Sequence, residues 1–381
     1  MGGTLSSAVM DELALAERLI AYDTSKEDGL RAAAEFVKGW LETREVRVTS
    51  RDHEGLPVII ADAGPLEGPL VVLHGHLDVV PAFAEQFVPR LEGDRLIGRG
   101  AYDMKGALAA LVCAVHDASL QDEVRVRLIC VPDEESENVE NRSTAVIVGE
   151  GIDADFAITG EPTDLHIGVQ AKGVLALRLE VVGTAAHGST PWLGDNAILK
   201  ANDLYRRIET LPFSRQSSDL FDRPSINLAR VTGGDAFNKV PDRCLIDVDI
   251  RYLPGQDPDQ IIEQIERIDD LKIVRKFHRV PAIVSRQDPY VLALRAAVSS
   301  VREGEALSIG RDGASDAISF LEAGIPAVEF GPEGGGHHGP NEWVSVSSLK
   351  CYRQALAVFI RDLPGYLGKS GAPPKLRAVE G

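Results

Sequence analysis

Short, almost uninterrupted apolar runs, each followed by helical periodicity, set the tightest limit on what this chain can fold into. The runs at 58–61, 70–73, 124–131 and 156–158 are too short for buried helices, and apart from Arg125 and Arg127 at the start of the third they are apolar throughout. Strands that are hydrophobic on both faces belong to a sheet covered by helices on both sides. The helices are legible between them. Val9, Leu13, Ala16 and Ile20 recur at helical spacing behind Ser7 as N-cap, and Phe36, Val37, Trp40 and Leu41 form a second amphipathic stretch. Residues 104–118 and 141–149 read as two more helices.

Near residue 170 the period changes. Leu175, Leu177, Leu179 and Val181 alternate with polar or small residues, as a strand with one buried face does. A helix at 196–210 follows, then strands at 225–231 and 244–252, a helix carrying Ile261, Ile262, Ile265 and Ile268, and a strand at 271–277. The order β-α-β-β-α-β is the ferredoxin-like unit, whose sheet has one helix-covered and one open face. Ile246, Val248, Ile250 and Tyr252 are expected to face the helices, leaving Asp247, Asp249 and Arg251 on the open face. After Pro281 the first signature returns, with a helix from Pro289, a strand at 325–330 and a helix at 347–361. The expected class is therefore α/β, with a discontinuous larger domain (1–169 and 282–381) and a smaller one (170–281) inserted into it.

The chain has 40 Lys and Arg against 58 Asp and Glu, a formal net charge of −18. Such a surface repels a nucleic-acid duplex or an anionic membrane, so neither is an expected partner. No apolar run approaches the roughly 18 residues that cross a bilayer, and the N-terminus has no basic region followed by an apolar core. Cys113, Cys130, Cys244 and Cys351 are widely spaced among apolar neighbours, as core thiols are. A reducing cytoplasm is the expected location.

Residues able to hold a metal gather at the ends of the expected strands. His74, His76 and Asp78 alternate in HGHLDVVP, and period-two geometry puts them on one face. Asp103 lies between a glycine-rich turn and a helix start in GRGAYDMKGA, where by itself it reads as an N-cap. Asp133, Glu134 and Glu135 are three adjacent carboxylates that would repel in one apolar site without a cation. Glu161 follows another strand, and His337 and His338 stand in GGGHHGPNE near Glu342. In α/β sheets ligands bind beyond the carboxyl ends of the strands. His76, Asp103, Glu135, Glu161 and one of the paired histidines make two imidazoles and three carboxylates with no thiolate. That set suits two Zn²⁺ ions sharing a carboxylate, with Mn²⁺ or Co²⁺ as substitutes.

Taken in order from residue 71 to 346, the segments HGHLDVVP, GRGAYDMKG, VPDEES, GEPT, GTAAHGSTPWLGDNAI and GGGHHGPNEW resemble the metallopeptidase family of acetylornithine deacetylase, succinyl-diaminopimelate desuccinylase, aminoacylase and glutamate carboxypeptidase. The resemblance implies a catalytic α/β domain with an inserted ferredoxin-like lid that often forms a homodimer. It implies that His76 and Glu161 hold one metal, Glu135 and His338 the other, and that Asp103 bridges them. His338 is preferred to His337 because the family's histidine stands three residues before the Asn of its N-E pair, here Asn341. Asp78 would orient His76, Glu134 would be the general base, and the Asp103–Met104 peptide would be cis. His187 matches a lid histidine that stabilises the oxyanion, often from the partner subunit. Arg251 and Asn238 match residues that meet the substrate carboxylate. Ile318 stands where desuccinylases carry an Arg, which counts against succinyl-diaminopimelate as substrate. The expected function is zinc-dependent hydrolysis of an N-acyl amino acid, with a dipeptidase or carboxypeptidase as the alternative and a non-catalytic binding protein as the remote one.

Overall fold

The computed structural model of the chain describes residues 11–136, 141–313 and 315–368. They divide into two compact units, one of the described residues within 11–169, 284–309 and 315–368, the other of 170–283 and 310–313. The second unit thus includes a short segment, 310–313, that the sequence pattern assigns to the larger domain.

The first unit is built on a mixed sheet. Seven of its nine strands run in the order Arg47–His53, Leu56–Ala63, Arg125–Val131, Leu70–His76, Phe156–Thr159, Ala327–Glu329 and Ile167–Ala171. Leu70–His76 is buried at every residue and parallel to both its neighbours, as its unbroken apolar run requires. The register pairs His76 with Val131, His74 with Thr159, and Thr159 with Glu329. Four parallel strands therefore end at nearly one level, and the segments leaving them start side by side. Gly106–Ala118, buried over nearly its whole length, packs on this sheet. Each of its leucines and valines moved from water contributes about 1.5–3 kcal/mol.

Several boundaries differ from the sequence reading. The first helix, Glu12–Ile20, is capped by Asp11, whose Oδ1 accepts from Ala14 N at 3.0 Å; Ser7 and Val9 lie outside the described residues. The helix expected from 104 begins at Gly106, because Asp103 (φ −121°, ψ 96°) and Met104 (φ −132°, ψ 27°) are not helical. Asp103 is accordingly not a helix N-cap. The helix expected at 141–149 is Ser143–Gly149, the 325–330 strand shortens to Ala327–Glu329, and the last helix lengthens to Val346–Leu367. A small sheet, ordered Gly334–Gly335, Trp343–Ser345, Arg95–Ile97 and Arg90–Glu92, has no counterpart in the reading. Strands of two or three residues leave no period to detect. Cys113, Cys130 and Cys244 are buried free thiols, while Cys351 is only partly buried.

The second unit is ferredoxin-like. Gly173–Val182, Ala197–Ile208, Ser225–Gly233, Arg243–Tyr252, Pro258–Glu266 and Leu271–Arg279 follow one another as β-α-β-β-α-β. The antiparallel sheet order is Ser225–Gly233, Arg243–Tyr252, Gly173–Val182, Leu271–Arg279. Leu175, Leu177, Leu179, Ile246, Val248 and Ile250 pack with Leu204, Ile261 and Ile265 of the helices. On the other face Arg178 holds Asp247 with two hydrogen bonds of 2.6 and 2.7 Å. Among the described residues no helix is long and apolar enough to cross a membrane.

Candidate metal centre

The centre grows from the strand end at His76. Its Nδ1 lies 2.9 Å from the main-chain oxygen of Asp78 and 3.4 Å from that residue's carboxylate. Its Nε2 is thereby turned to Asp103 Oδ1 at 3.1 Å. The Asp78 carboxylate accepts the backbone N–H groups of Glu134 (3.1 Å) and Glu135 (2.7 Å), fixing the loop that follows the neighbouring strand. Gly75 and Gly160 leave room for Met104, since a Cβ on either would come within 2.7 and 2.5 Å of its methyl carbon.

Asp103 is fastened by a residue that sequence reasoning noticed without assigning a task. Buried Glu342 accepts from Arg99 Nη1 (2.7 Å) and from the N–H groups of Gly100 (3.0 Å), Tyr102 (3.0 Å) and Asp103 (2.9 Å). Arg99 Nη2 also donates to the His338 carbonyl at 3.0 Å, so one buried ion pair ties the Asp103 turn to the histidine loop. In that loop Gly336 has φ +74°, and a Cβ there would lie 2.6 Å from the Asn341 oxygen; His338 itself takes φ +57°. A non-glycine residue held in this region marks a tightly determined site. His338 Nε2 lies 2.8 Å from Glu135 Oε1 and 3.5 Å from Asp103 Oδ2. His337 Nε2 also meets Asp103 Oδ2, so both histidines reach the shared carboxylate. The Asp103–Met104 peptide bond is cis.

Two donor groups result, His76 with Asp103 and Glu161, and Asp103 with His337 and His338; in each the ligand atoms lie within 4.8 Å of one another. Burial raises the Glu161 pKa well above its ordinary value, with the Asp103 charge adding to it. Burial acts likewise on Asp103 but is outweighed by hydrogen bonds from His337, His338 and His76, which hold it well below the ordinary range. The His76 imidazolium is disfavoured by burial, yet Asp103 and Asp78 raise its pKa well above normal. Hydrogen bonds to Asp103 and Glu135 lift His338 to about 10. Raised proton affinity at Glu161, His76 and His338 thus surrounds the Asp103 carboxylate, and a divalent cation replaces protons in such donor sets. Glu161 Oε1 is buried with no hydrogen-bond partner among the described residues, a cost of about 1–3 kcal/mol unless a cation takes it up. These residues fit a metal.

The three adjacent carboxylates do not share one site. Asp133 closes its loop by accepting from Ser143 N (2.8 Å) and Ser143 Oγ (2.5 Å). Glu135 turns to His338, and Glu134 Oε1 accepts from Arg142 Nη1 at 2.7 Å. Burial and the Asp316 charge raise the Glu134 pKa well above its ordinary value against the opposing pull of Arg142. His74 stays behind the site, buried edge-on to Phe320 with Nε2 2.9 Å from Thr144 Oγ1.

Residues 72–362, which span this whole constellation, match Peptidase family M20/M25/M40. The chain belongs to that family. A putative succinyl-diaminopimelate desuccinylase of Mycobacterium tuberculosis is 31% identical over 272 residues, 69% of this chain and 73% of the relative. In fold the chain is similar to aminopeptidase PepT from Bacillus cereus, at TM-score 0.76 and 18% identity over 92% of this chain and 98% of the other. It is also similar to the M20 metallo-carboxypeptidase Sso-CP2 from Sulfolobus solfataricus, at TM-score 0.74 and 20% identity over 92% and 99%. As an M20 member the chain is a metal-dependent hydrolase acting on a small molecule or a peptide.

The remaining candidate residues lie in the second unit. His187 is exposed, its Nδ1 2.7 Å from Ser189 Oγ, and Gly188 N donates to the Asn238 carbonyl at 2.7 Å. Asn238 is exposed. Arg251 sits on the open sheet face, where its Nε donates to Asp249 at 3.0 Å.

Proposed function

We propose that this M20 hydrolase cleaves the amide of N-acyl amino acids, using two Zn²⁺ ions held by His76, Asp103, Glu135, Glu161 and His338. The observation that carries the reading is the shared position of Asp103, which belongs to both donor groups. When bound, such ions lower the pKa of a water from 15.7 towards about 7 and polarise an acyl oxygen. Glu134 takes the proton of the attacking water and delivers it to the departing amine as the carbon–nitrogen bond breaks. Its raised pKa suits that task, because a general base works best when it titrates near the operating pH. His187 is assigned as donor to the oxyanion. Arg251 and Asn238 are assigned to the substrate carboxylate, which must replace Asp249 on Arg251. Ile318 stands where desuccinylases carry an Arg and offers no cationic partner for a substrate carboxylate, which supports a substrate other than succinyl-diaminopimelate. The exposed Trp192, Leu193, Leu199 and Phe237 of the second unit support homodimerisation through the lid. The free cysteines agree with a cytoplasmic location.

The test is a panel of N-acetylornithine, other N-acyl amino acids, N-succinyl-diaminopimelate, dipeptides and folyl-glutamate with Zn²⁺-loaded protein. N-acyl amino acids are expected to give the highest kcat/KM; highest values for dipeptides or folyl-glutamate would establish the peptidase reading instead. Glu134→Gln is expected to keep its metals and lose hydrolysis. Full activity in that variant would sink the mechanism.

A further inference from the structure

Arg142 is eight residues from Glu134, yet its guanidinium reaches that side chain because Asp133 and Ser143 clamp the loop between them. Arg142 is 9% exposed, and a guanidinium this buried has to be paired; two carboxylates face it. One is Glu134, 2.7 Å from Nη1; the other is Asp316, 3.5 Å from the same nitrogen and wholly buried. Asp316 is in turn held by Thr144 Oγ1, and His74 Nε2 lies 3.5 Å from it and 2.9 Å from Thr144 Oγ1. A continuous buried column thus runs from the core of the sheet to one oxygen of Glu134. Oε1 is occupied by Arg142, while Oε2 has no hydrogen bond among the described residues.

We infer that Arg142, braced by Asp316, is a positioning residue that fixes the Glu134 carboxylate by Oε1 and leaves Oε2 to take up the proton. The inference rests on the role proposed for Glu134. Guanidinium stays protonated throughout and exchanges no proton with substrate. Its contribution is geometric, since a base displaced by about 1 Å loses on the order of 10² in rate. Asp78 pins the backbone of Glu134 from the other side, so neither clamp substitutes for the other.

The test compares Arg142→Met and Arg142→Lys with wild type, all loaded with Zn²⁺, on the best substrate of the panel. Arg142→Met is expected to lower kcat by about 10–100-fold, with KM changed less than about threefold and metal content unaltered. Arg142→Lys, which keeps one charged donor, is expected to recover at least a third of that loss on a logarithmic scale. A kcat within threefold of wild type in Arg142→Met, or a lysine variant no better than the methionine variant, would overturn the inference. If Arg142→Met fails to fold, Arg142→Lys decides: kcat lowered at unchanged KM upholds the inference, and a wild-type kcat overturns it. A wild-type holoenzyme inactive on the whole panel would instead sink the functional reading. A crystal structure of the lysine variant then decides the positioning: a Glu134 side chain shifted from its wild-type place upholds it, and one left in place overturns it.

Discussion

Replacing Glu342 by Gln would remove one charge and exchange one oxygen for a donor in a pocket built of donors. The oxygen that accepts from Tyr102 and Asp103 is retained, while the new amide nitrogen faces Arg99 Nη1 and Gly100 N, formerly 2.7 and 3.0 Å from Oε2. Hydrogen bonds to a charged group contribute about 1.5–3 kcal/mol each, and stranding one member of a buried ion pair costs about 3–5 kcal/mol. These figures overlap, because the lost bonds are also the lost pairing, so the expected destabilisation is about 4 kcal/mol in total. For a unit of this size that lowers the melting temperature of the metal-free protein by roughly 8–16 °C. Adding Arg99→Met removes the stranded charge, and the double variant is expected to be more stable than Glu342→Gln by about 1–2 kcal/mol. Because the same carboxylate fastens Asp103, Zn²⁺ affinity by competition with a chelating dye is expected to fall about 10–100-fold. A Glu342→Gln variant melting within about 3 °C of wild type and binding Zn²⁺ equally well would refute this account of the turn.

Asp103→Ala is expected to reduce bound metal from two ions per chain to none, and Glu161→Ala to one, by elemental analysis after dialysis; equal loss in both would contradict a bridging role for Asp103. Arg251→Met is expected to raise KM about tenfold or more for substrates with a free carboxylate and to leave kcat within threefold, as loss of uniform binding does; an unchanged KM would remove Arg251 from the site. Burial pushes the Cys113 and Cys130 thiols up to about 12, so at pH 8 only about one molecule in 10⁴ carries each thiolate. Both are expected to resist iodoacetamide in the folded protein and to react in denaturant, as read by peptide mass spectrometry. Trp192→Asp with Phe237→Asp is expected to halve the mass measured by light scattering, and a wild-type monomer would dispose of the lid-mediated dimer.

Much of this arrangement is written locally. The apolar runs at 70–73 and 128–131 announce strands because both of their faces are buried, while Arg125 and Arg127 keep partly exposed places at the start of the second strand. The order of helix and strand signals between 173 and 279 leads to the ferredoxin-like unit, and alternation in Arg243–Tyr252 tells which side chains face its helices. The residue types of His76, Asp103, Glu135, Glu161 and His338, and the places of His76, Glu135 and Glu161 at or just past strand ends, are sequence properties too. How they meet is not. His337 and Asp103 are 234 residues apart, and they are joined by pairing of Trp343–Ser345 with Arg95–Ile97, strands too short to leave a period. The division of labour among Asp133, Glu134 and Glu135 is equally invisible in a run of three acids. It depends on Ser143, Arg142 and His338 arriving from other segments, and each carboxylate goes to the donor within its reach. Local sequence determined which groups would stand at the strand ends, because burial and side-chain period act over a few residues. Tertiary structure alone decided their partners, because a hydrogen bond is satisfied by whatever lies near in space, however distant along the chain.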